Sequence, residues 1–202
     1  SGGGTGSGDF LFDELSEKQV SELNVVGPFV NRALQDWYKI DDKAFSGANE
    51  KGKAKGGTID FLFHQNPISR ARGTQWSSDE QGNDKLLWGE ELKQSMKHEF
   101  TSYKTLRFEV FNDWLPTNDC FVTLDDDVTD QWGDPVAKVR IGYHDHDLEV
   151  GAYLSQKAEK LLVALGAKNI ESSVSGYPAT NLMAGGCRFG HDPKTSVLNK
   201  NC

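Results

Sequence analysis

An amphipathic segment in the second half of the chain constrains the fold more than any other feature of the 202-residue sequence. Residues 147–165 carry apolar side chains at i, i+4, i+7, i+8 and i+11, a spacing that is typical of a helix with one apolar face. These side chains are Leu154, Ala158, Leu161, Leu162 and Leu165. Asp145 or Asp147 can cap the start of this helix, and Gly166 can end it in the left-handed conformation. Such a face must be buried, so we expect the helix to cover a sheet.

Five other stretches have the patterns of strands and turns. They are residues 58–64, 105–115, 120–124, 136–141 and 169–174. Turn chemistry after the second stretch leads us to expect an antiparallel meander of the second, third and fourth stretches. No GxGxxG motif follows a strand, which argues against a nucleotide-binding βαβ unit. Strands and helices without regular alternation predict the α+β class, with a mostly antiparallel sheet and helices on one face.

The remaining segments are predicted from composition. Residues 13–23 and 85–97 place apolar side chains at helical spacing, and we expect helices there. The glycine-rich residues 1–8 are expected to form a flexible linker or a loop. Three further ranges are expected to be loops, the first with a short strand or helix inside it. They are residues 25–40, 41–57 and 70–83.

Charge and cysteine content exclude several classes of protein. The chain has 30 acidic and 22 basic residues, for a net charge of −8. This balance argues against a nucleic-acid partner, because phosphate binding needs clustered Lys and Arg. No apolar run approaches the roughly 20 residues of a membrane-spanning helix. The 3 cysteines lack a C-x-x-C pair, so we expect free thiols.

Two clusters of acidic and histidine side chains raise the question of a metal. His144 and His146 could share one face of a strand and bind a metal ion, but the sequence nominates no third ligand. We favour a polar junction between strand and helix, capped by the aspartates. The acidic run that starts at Asp125 fails as a calcium loop, because Asp130 stands where Gly is required and Val136 where Glu is required. We therefore predict no metal site.

The end of the chain carries the most informative motif. Residues 180–202 read TNLMAGGCRFGHDPKTSVLNKNC. The pair Gly185 and Gly186 lets the backbone approach another group closely, and Arg188 offers a forked donor for an anion. His191 begins a tight turn. Taken alone, these features are also compatible with a structural glycine-rich crossover.

Within this stretch, GGCRFGHDPKTSVLNKNC closely resembles the signature of the glucose-methanol-choline (GMC) oxidoreductases. In that family the segment leads from the substrate domain back into the FAD domain. Residues 106–135 are similar to the family's pair of sheet strands, and the helix that ends in LLVALGAKNI matches as well. The resemblance covers residues 106–202 well and the first hundred weakly. Its nearest likeness is to the family's bacterial sugar and glucoside dehydrogenases.

The resemblance implies a function and a division of the chain. It implies the substrate-binding portion of an FAD-dependent oxidoreductase, which transfers a hydride from a CH–OH group of a sugar or polyol to flavin. Residues 1–179 would form the substrate-binding domain, and residues 180–202 would return toward an FAD domain. No FAD-binding glycine fingerprint occurs in these residues, so we expect the isolated chain not to hold FAD tightly. A separate FAD-domain chain or an electron-acceptor protein is then an expected partner.

The resemblance also implies site residues. The flavin-facing edge would comprise Gly185, Gly186 and Arg188, and the substrate-facing rim of the sheet would comprise Asn112, Asp113 and Trp114.

The expected catalytic histidine is missing from its motif position, where Asn181 stands. Its amide can hydrogen-bond a hydroxyl but cannot take the proton. Either His191 or His144 supplies the base, or this copy is impaired.

Two other functions remain open at this point. One is a non-catalytic carbohydrate-binding module, whose sheet would present Trp76, Trp114 and Trp132. The other is a structural fragment without activity.

Overall fold

The computed structural model describes residues 3–23, 31–41, 53–63, 67–79, 81–115, 117–175 and 185–202. The strands are β1 (Gly4–Leu11), β2 (Asn31–Leu34), β3 (Lys39–Asp41), β4 (Lys53–Lys55), β5 (Gly57–Phe63), β6 (Trp76–Ser78), β7 (Asp84–Leu86), β8 (Tyr103–Asn112), β9 (Phe121–Thr129), β10 (Pro135–Arg140) and β11 (Lys168–Val174). The α-helices are α1 (Glu17–Leu23), α2 (Pro67–Gly73), α3 (Gly89–Thr101) and α4 (Asp145–Ala164), and a 3-10 turn at Phe12–Glu14 precedes α1.

Five strands form one antiparallel sheet, in the order β11-β1-β8-β5-β2. The long strand β8 pairs with both β1 and β5, so that Phe108 lies opposite Gly6 on one side and Phe61 on the other. Leu106, Phe108 and Val110 are buried, and the residues between them are more exposed. This alternation defines an inner and an outer face of the sheet. The predicted α+β class with a mostly antiparallel sheet is confirmed.

Helix α4 covers the inner face. Its fully buried apolar side chains are Val150, Leu154, Ala158 and Leu162. They join Ile59 and Phe108 of the sheet in one core cluster. Burial of each large aliphatic side chain stabilises the fold by about 1.5–3 kcal/mol. The helix that the sequence pattern predicts is therefore present. Leu154, Ala158 and Leu162 of its predicted stripe are buried and Leu161 is partly buried, whereas Leu165 is the C-cap and is exposed.

Both ends of α4 are fixed by local chemistry. The N-cap is His144, and the carboxylate of Asp147 accepts the His144 backbone N–H at 3.0 Å in a capping box. Gly166 ends the helix with φ of +88°. The backbone N–H of Ala167 then bonds to the Leu162 carbonyl at 3.0 Å. The expected glycine stop is confirmed, and of the two expected capping aspartates it is Asp147 that bonds to the helix start.

Strand β1 shows that the expectation of a flexible linker at residues 1–8 was wrong. It lies inside the sheet, paired with β8 and with β11. A Cβ atom on Gly4 would lie 1.9 Å from the Ser155 hydroxyl, and one on Gly6 would lie 2.4 Å from the Phe108 ring. Glycines at alternate positions therefore let α4 and the Phe108 ring approach this strand closely. The ladder hydrogen bonds to two neighbours offset the backbone entropy that glycine loses.

The predicted three-strand meander was also wrong. Strands β9 and β10 form a separate two-stranded sheet, and β8 pairs with β1 and β5 instead. The chain that leaves β8 is held at the start of α4, because the Leu115 N–H donates to the Asp147 carboxylate at 2.9 Å. Strand β9 continues through Thr129, so it extends beyond the strand predicted at 120–124 into the acidic run.

Short elements occupy regions that composition predicted as loops. Residues 25–40 contain β2 and most of β3, and β4 lies within 41–57. Strand β3 pairs with β4 and buries Ile40 and Ala54. Part of α2 and all of β6 lie within 70–83. Strand β7 pairs with β6 and includes the first residues of the helix predicted at 85–97. The helix therefore begins only at Gly89. At 13–23 the α-helix starts only at Glu17.

Candidate functional site

The described part of the terminal stretch, residues 185–202, folds into a loop that is called the terminal loop below. The backbone N–H groups of Val197 and Leu198 both donate to the Arg188 carbonyl at 3.0 Å, and the Gly190 N–H donates to the Leu198 carbonyl at 2.9 Å. Asp192 organises the turn by accepting the Lys194 N–H at 2.9 Å. Among the described residues, all hydrogen bonds of the terminal loop join residues of the loop itself.

Four of the sequence-predicted site residues lie together on the terminal loop. Gly185, Gly186, Arg188 and His191 are all exposed. Gly185 has φ of +94°, and a Cβ on either glycine would meet nothing within 4 Å. Arg188 forms no ion pair with any described residue. Asn181 lies outside the described residues.

The other predicted site residues follow one another at the end of β8. Asn112 is 2% exposed and donates its amide to the Asp147 carbonyl at 3.0 Å. Its side-chain oxygen is buried without a hydrogen-bond partner among the described residues. Asn112 therefore points into the fold, toward the start of α4.

Its two neighbours are more accessible. Asp113 is exposed and forms a salt bridge with Lys55, whose pKa is raised by the hydrogen bond to this carboxylate and by its charge. The Trp114 ring stands edge-on to Tyr143, with 6.5 Å between ring centroids. Within the described residues, no hydrogen bond or ion pair joins this group to the terminal loop.

His144 and His146 serve the helix start. The backbone N–H of His146 donates to the His144 side chain at 3.2 Å, as part of the α4 cap. In the part of the chain that the structure describes, no three His, Cys, Asp or Glu side chains form a group that could hold a metal ion.

The outer face of the sheet carries a site that the sequence did not indicate. Two adjoining cavities of about 490 and 230 Å³ share Ser7 of β1 and Arg107 of β8, and together they form what we call the outer-face groove. The larger cavity is also lined by Arg70, Trp76, His98, Glu99, Tyr103 and Thr105. The smaller cavity is also lined by Thr5, Glu171 and Ser173.

A hydrogen-bonded ion pair forms one wall of the larger cavity. The Arg70 guanidinium donates to the Glu99 carboxylate at 3.0 and 3.1 Å and to the Glu99 carbonyl at 2.8 Å. The Tyr103 hydroxyl donates to the same carboxylate. Burial raises the pKa of Tyr103 first of all, and the hydrogen bond and negative charge of Glu99 raise it further. The Glu99 carboxylate is therefore engaged by its own neighbours.

Arg107 differs from Arg70 because it has no acidic partner among the described residues. It is exposed at the point where the two cavities meet. It lies on the outer face of β8, directly across from Ser7. The strand predicted at 105–115 did include Arg107. The rest of the groove was missed because Ser7 was assigned to a linker and because α2 and α3 come from distant segments.

Comparison with known proteins identifies the second half of the chain. Residues 116–202 match the family model described as GMC oxidoreductase. This part of the chain is similar to the GMC oxidoreductases. The resemblance carried by the terminal motif is thereby confirmed.

Two relatives agree with this assignment. A 2-methyl-1,2-propanediol dehydrogenase of Mycolicibacterium austroafricanum is 32% identical over 117 residues, which are 56% of this chain and 20% of the relative. The flavoprotein of a gluconate 2-dehydrogenase of Pantoea cypripedii is 27% identical over 89 residues, which are 40% of this chain and 14% of the relative. The chain thus spans a fifth or less of these relatives.

The GMC match begins after β8, so it includes the terminal loop but little of the outer-face groove. Ser7, Arg70, His98 and Arg107 all precede residue 116. None of the described helices is long and apolar enough to span a membrane.

The terminal loop has hydrogen-bond donors of the kind that a flavin could accept. It offers an exposed glycine backbone and the Arg188 guanidinium, which has no ion-pair partner among the described residues. The two cavities of the outer-face groove are not lined by any terminal-loop residue. Residues of this GMC segment could therefore contact FAD at an edge, and those described do not enclose it.

Proposed function

We propose that this chain is the substrate-binding portion of an FAD-dependent oxidoreductase that acts on the CH–OH groups of a sugar or polyol. The observation that carries this proposal is the GMC family match over residues 116–202, which includes the exposed terminal loop. The names of both relatives support it, since one is a diol dehydrogenase and the other is the flavoprotein of a gluconate dehydrogenase. FAD, when bound, supplies the hydride acceptor for this chemistry.

In this proposal two regions of the chain have different roles. Residues 1–179 bind the substrate, and residues 180–202 return toward an FAD domain. Gly185, Gly186 and Arg188 line the flavin side. A separate FAD-domain chain or an electron-acceptor protein then completes the enzyme.

The proton of the substrate hydroxyl needs a base. We assign this role to His191, because its imidazole is exposed on the same loop as Arg188. Asn181 would hydrogen-bond the hydroxyl without taking its proton. Loss of a general base costs about 10²- to 10⁴-fold in rate.

The substrate side includes Asn112, Asp113 and Trp114 at the end of β8. Asp113 and Trp114 can contact a polyol directly, by hydrogen bonds and by stacking against C–H groups. Asn112 is buried and donates to Asp147, so its part is to hold this segment in place.

The test combines flavin and polyol binding. FAD is titrated into the 202-residue chain with flavin fluorescence as the readout, and sorbitol and glucose binding are measured by calorimetry. We expect weak FAD binding, seen as fluorescence quenching. The affinity should fall about 10-fold in Arg188→Ala, because a charged hydrogen bond is lost. Lys200→Ala is the matched control, since it removes another exposed cation of the same loop. Absence of both FAD and polyol binding would show the proposal to be wrong.

The same experiment separates a second function. A non-catalytic carbohydrate-binding module is favoured by the 56% exposed Trp76 at the outer-face groove, which could stack on a sugar. Polyol binding without any interaction with FAD would favour the module, whereas polyol binding together with FAD quenching that depends on Arg188 would favour the oxidoreductase.

A further inference from the structure

We propose that the outer-face groove binds a polyol that carries a carboxylate, a sugar acid, with Arg107 as the anchor of the carboxylate. This inference rests on the proposed function for the polyol nature of the ligand. It goes beyond that function in the charge of the ligand and in its place, because residues 112–114 do not line the groove. It concerns residues that lie mostly outside the GMC family match.

The charge distribution of the groove is the first argument. The chain is acidic overall, with a net charge of −8, yet Arg107 has no ion-pair partner among the described residues. Its exposed guanidinium can donate two parallel hydrogen bonds to one carboxylate. A ligand carboxylate would thus supply the partner that the fold does not.

Two acidic groups near the larger cavity are held by hydrogen bonds to neighbouring side chains. Glu99 is already engaged by Arg70 and by the Tyr103 hydroxyl. Asp9 accepts the Thr105 hydroxyl at 2.6 Å.

Glu109 and Glu171 remain. Glu171 lines the smaller cavity, on the strand beyond Ser7, and Glu109 lies directly across from Thr5, which lines the same cavity, so the ligand carboxylate belongs on the other side of Arg107. There the larger cavity presents His98, whose imidazole can donate a further hydrogen bond.

The second argument is the polar and aromatic lining that remains for the rest of the ligand. Ser7 and Ser173 present hydroxyl groups that can donate to and accept from the hydroxyls of a polyol. The exposed Trp76 indole borders the larger cavity and offers a flat apolar face for C–H groups. The larger cavity alone, at about 490 Å³, is within the usual range of small-molecule sites.

Two ligands of equal length isolate the contribution of the carboxylate. Gluconate and sorbitol are both six-carbon polyols, and they differ in the carboxylate. We expect calorimetry on the 202-residue chain at low salt to show that gluconate binds about 10-fold or more tightly than sorbitol. In Arg107→Gln the two affinities should become similar. Arg107→Lys should restore part of the preference, because it keeps the charge and loses the planar fork.

Arg72→Gln is the matched control. Arg72 is an exposed arginine of α2 that does not line the groove. We expect this variant to bind gluconate like the unsubstituted chain.

The possible outcomes distinguish the sugar-acid inference from the proposed function. Equal affinity for gluconate and sorbitol in the unsubstituted chain, or no effect of Arg107→Gln, overturns the sugar-acid inference and leaves the proposed polyol function in place. Binding of neither polyol contradicts both. If acetate binds as tightly as gluconate, the groove is a simple anion site, and the claim that it recognises a polyol is overturned.

Discussion

One buried carboxylate joins two segments that are distant in sequence. Asp147 is 1% exposed, and its two oxygens accept the backbone N–H groups of His144 at 3.0 Å and of Leu115 at 2.9 Å. Its own backbone carbonyl accepts the amide of Asn112 at 3.0 Å. The residue thus caps α4 and also fixes the chain that leaves β8. A capping aspartate was predicted from sequence, whereas its bond to Leu115 depends on the tertiary fold.

Removing this carboxylate should therefore destabilise the fold more than the loss of an ordinary helix cap would. We expect Asp147→Ala to lower the free energy of unfolding by about 2–4 kcal/mol, since one cap and one further buried backbone donor lose their acceptor. Urea unfolding followed by circular dichroism measures this. Asp145→Ala, at an exposed first-turn acid, should cost about 1 kcal/mol or less. Equal losses in the two variants would contradict the dual role.

Tyr103 adds a pH-dependent term to stability. Its pKa in the folded chain is raised by burial and by Glu99, while the unfolded value is about 10. The folded state then holds the phenolic proton more tightly, so this contribution is complete below pH 10 and is lost as pH rises through the folded pKa. We expect Tyr103→Phe to be less stable at pH 8 and to lose stability less steeply above pH 10. Unfolding curves with the same pH slope in both proteins would show this account to be wrong.

At the scale of elements, α4 and β8 were predictable because the pattern that defines them is local. Each carries one apolar face of the correct period, and each buries that face. Strand β1 was not predictable in this way. Glycine has low strand propensity, so a segment with Gly4, Gly6 and Gly8 resembles a linker until the helix that packs on it is known.

The glycines of β1 can be tested directly. We expect Gly6→Ala to destabilise by about 1–3 kcal/mol, because the new methyl group would overlap the Phe108 ring and the Glu171 carbonyl. Gly186→Ala is the control, since nothing lies within 4 Å of its added Cβ, and it should change stability by less than about 0.5 kcal/mol. Thermal and urea unfolding measure both. A stable Gly6→Ala variant would refute the tight packing of Phe108 on this strand.

At the scale of the whole molecule, sequence identified the family but not the groove. The terminal motif is contiguous, so it could be recognised without any knowledge of the fold. The outer-face groove takes Ser7 from β1, Arg107 from β8 and Trp76 from β6, with helix residues at its wall. Only the strand order brings these residues together. For the same reason, the burial of Asn112 could not be predicted from its position at the end of a strand.

The position of β1 within the sheet has a consequence for how the chain acquires its structure. Thr5 meets Ser173 across 168 residues, and Asp9 meets Thr105 across 96. During synthesis, at about 5–20 residues per second, β1 waits several seconds for its first neighbour and longer for its second. Contacts of such long sequence separation slow folding. Because β1 contains few apolar residues, it should have little tendency to aggregate with other chains during that interval.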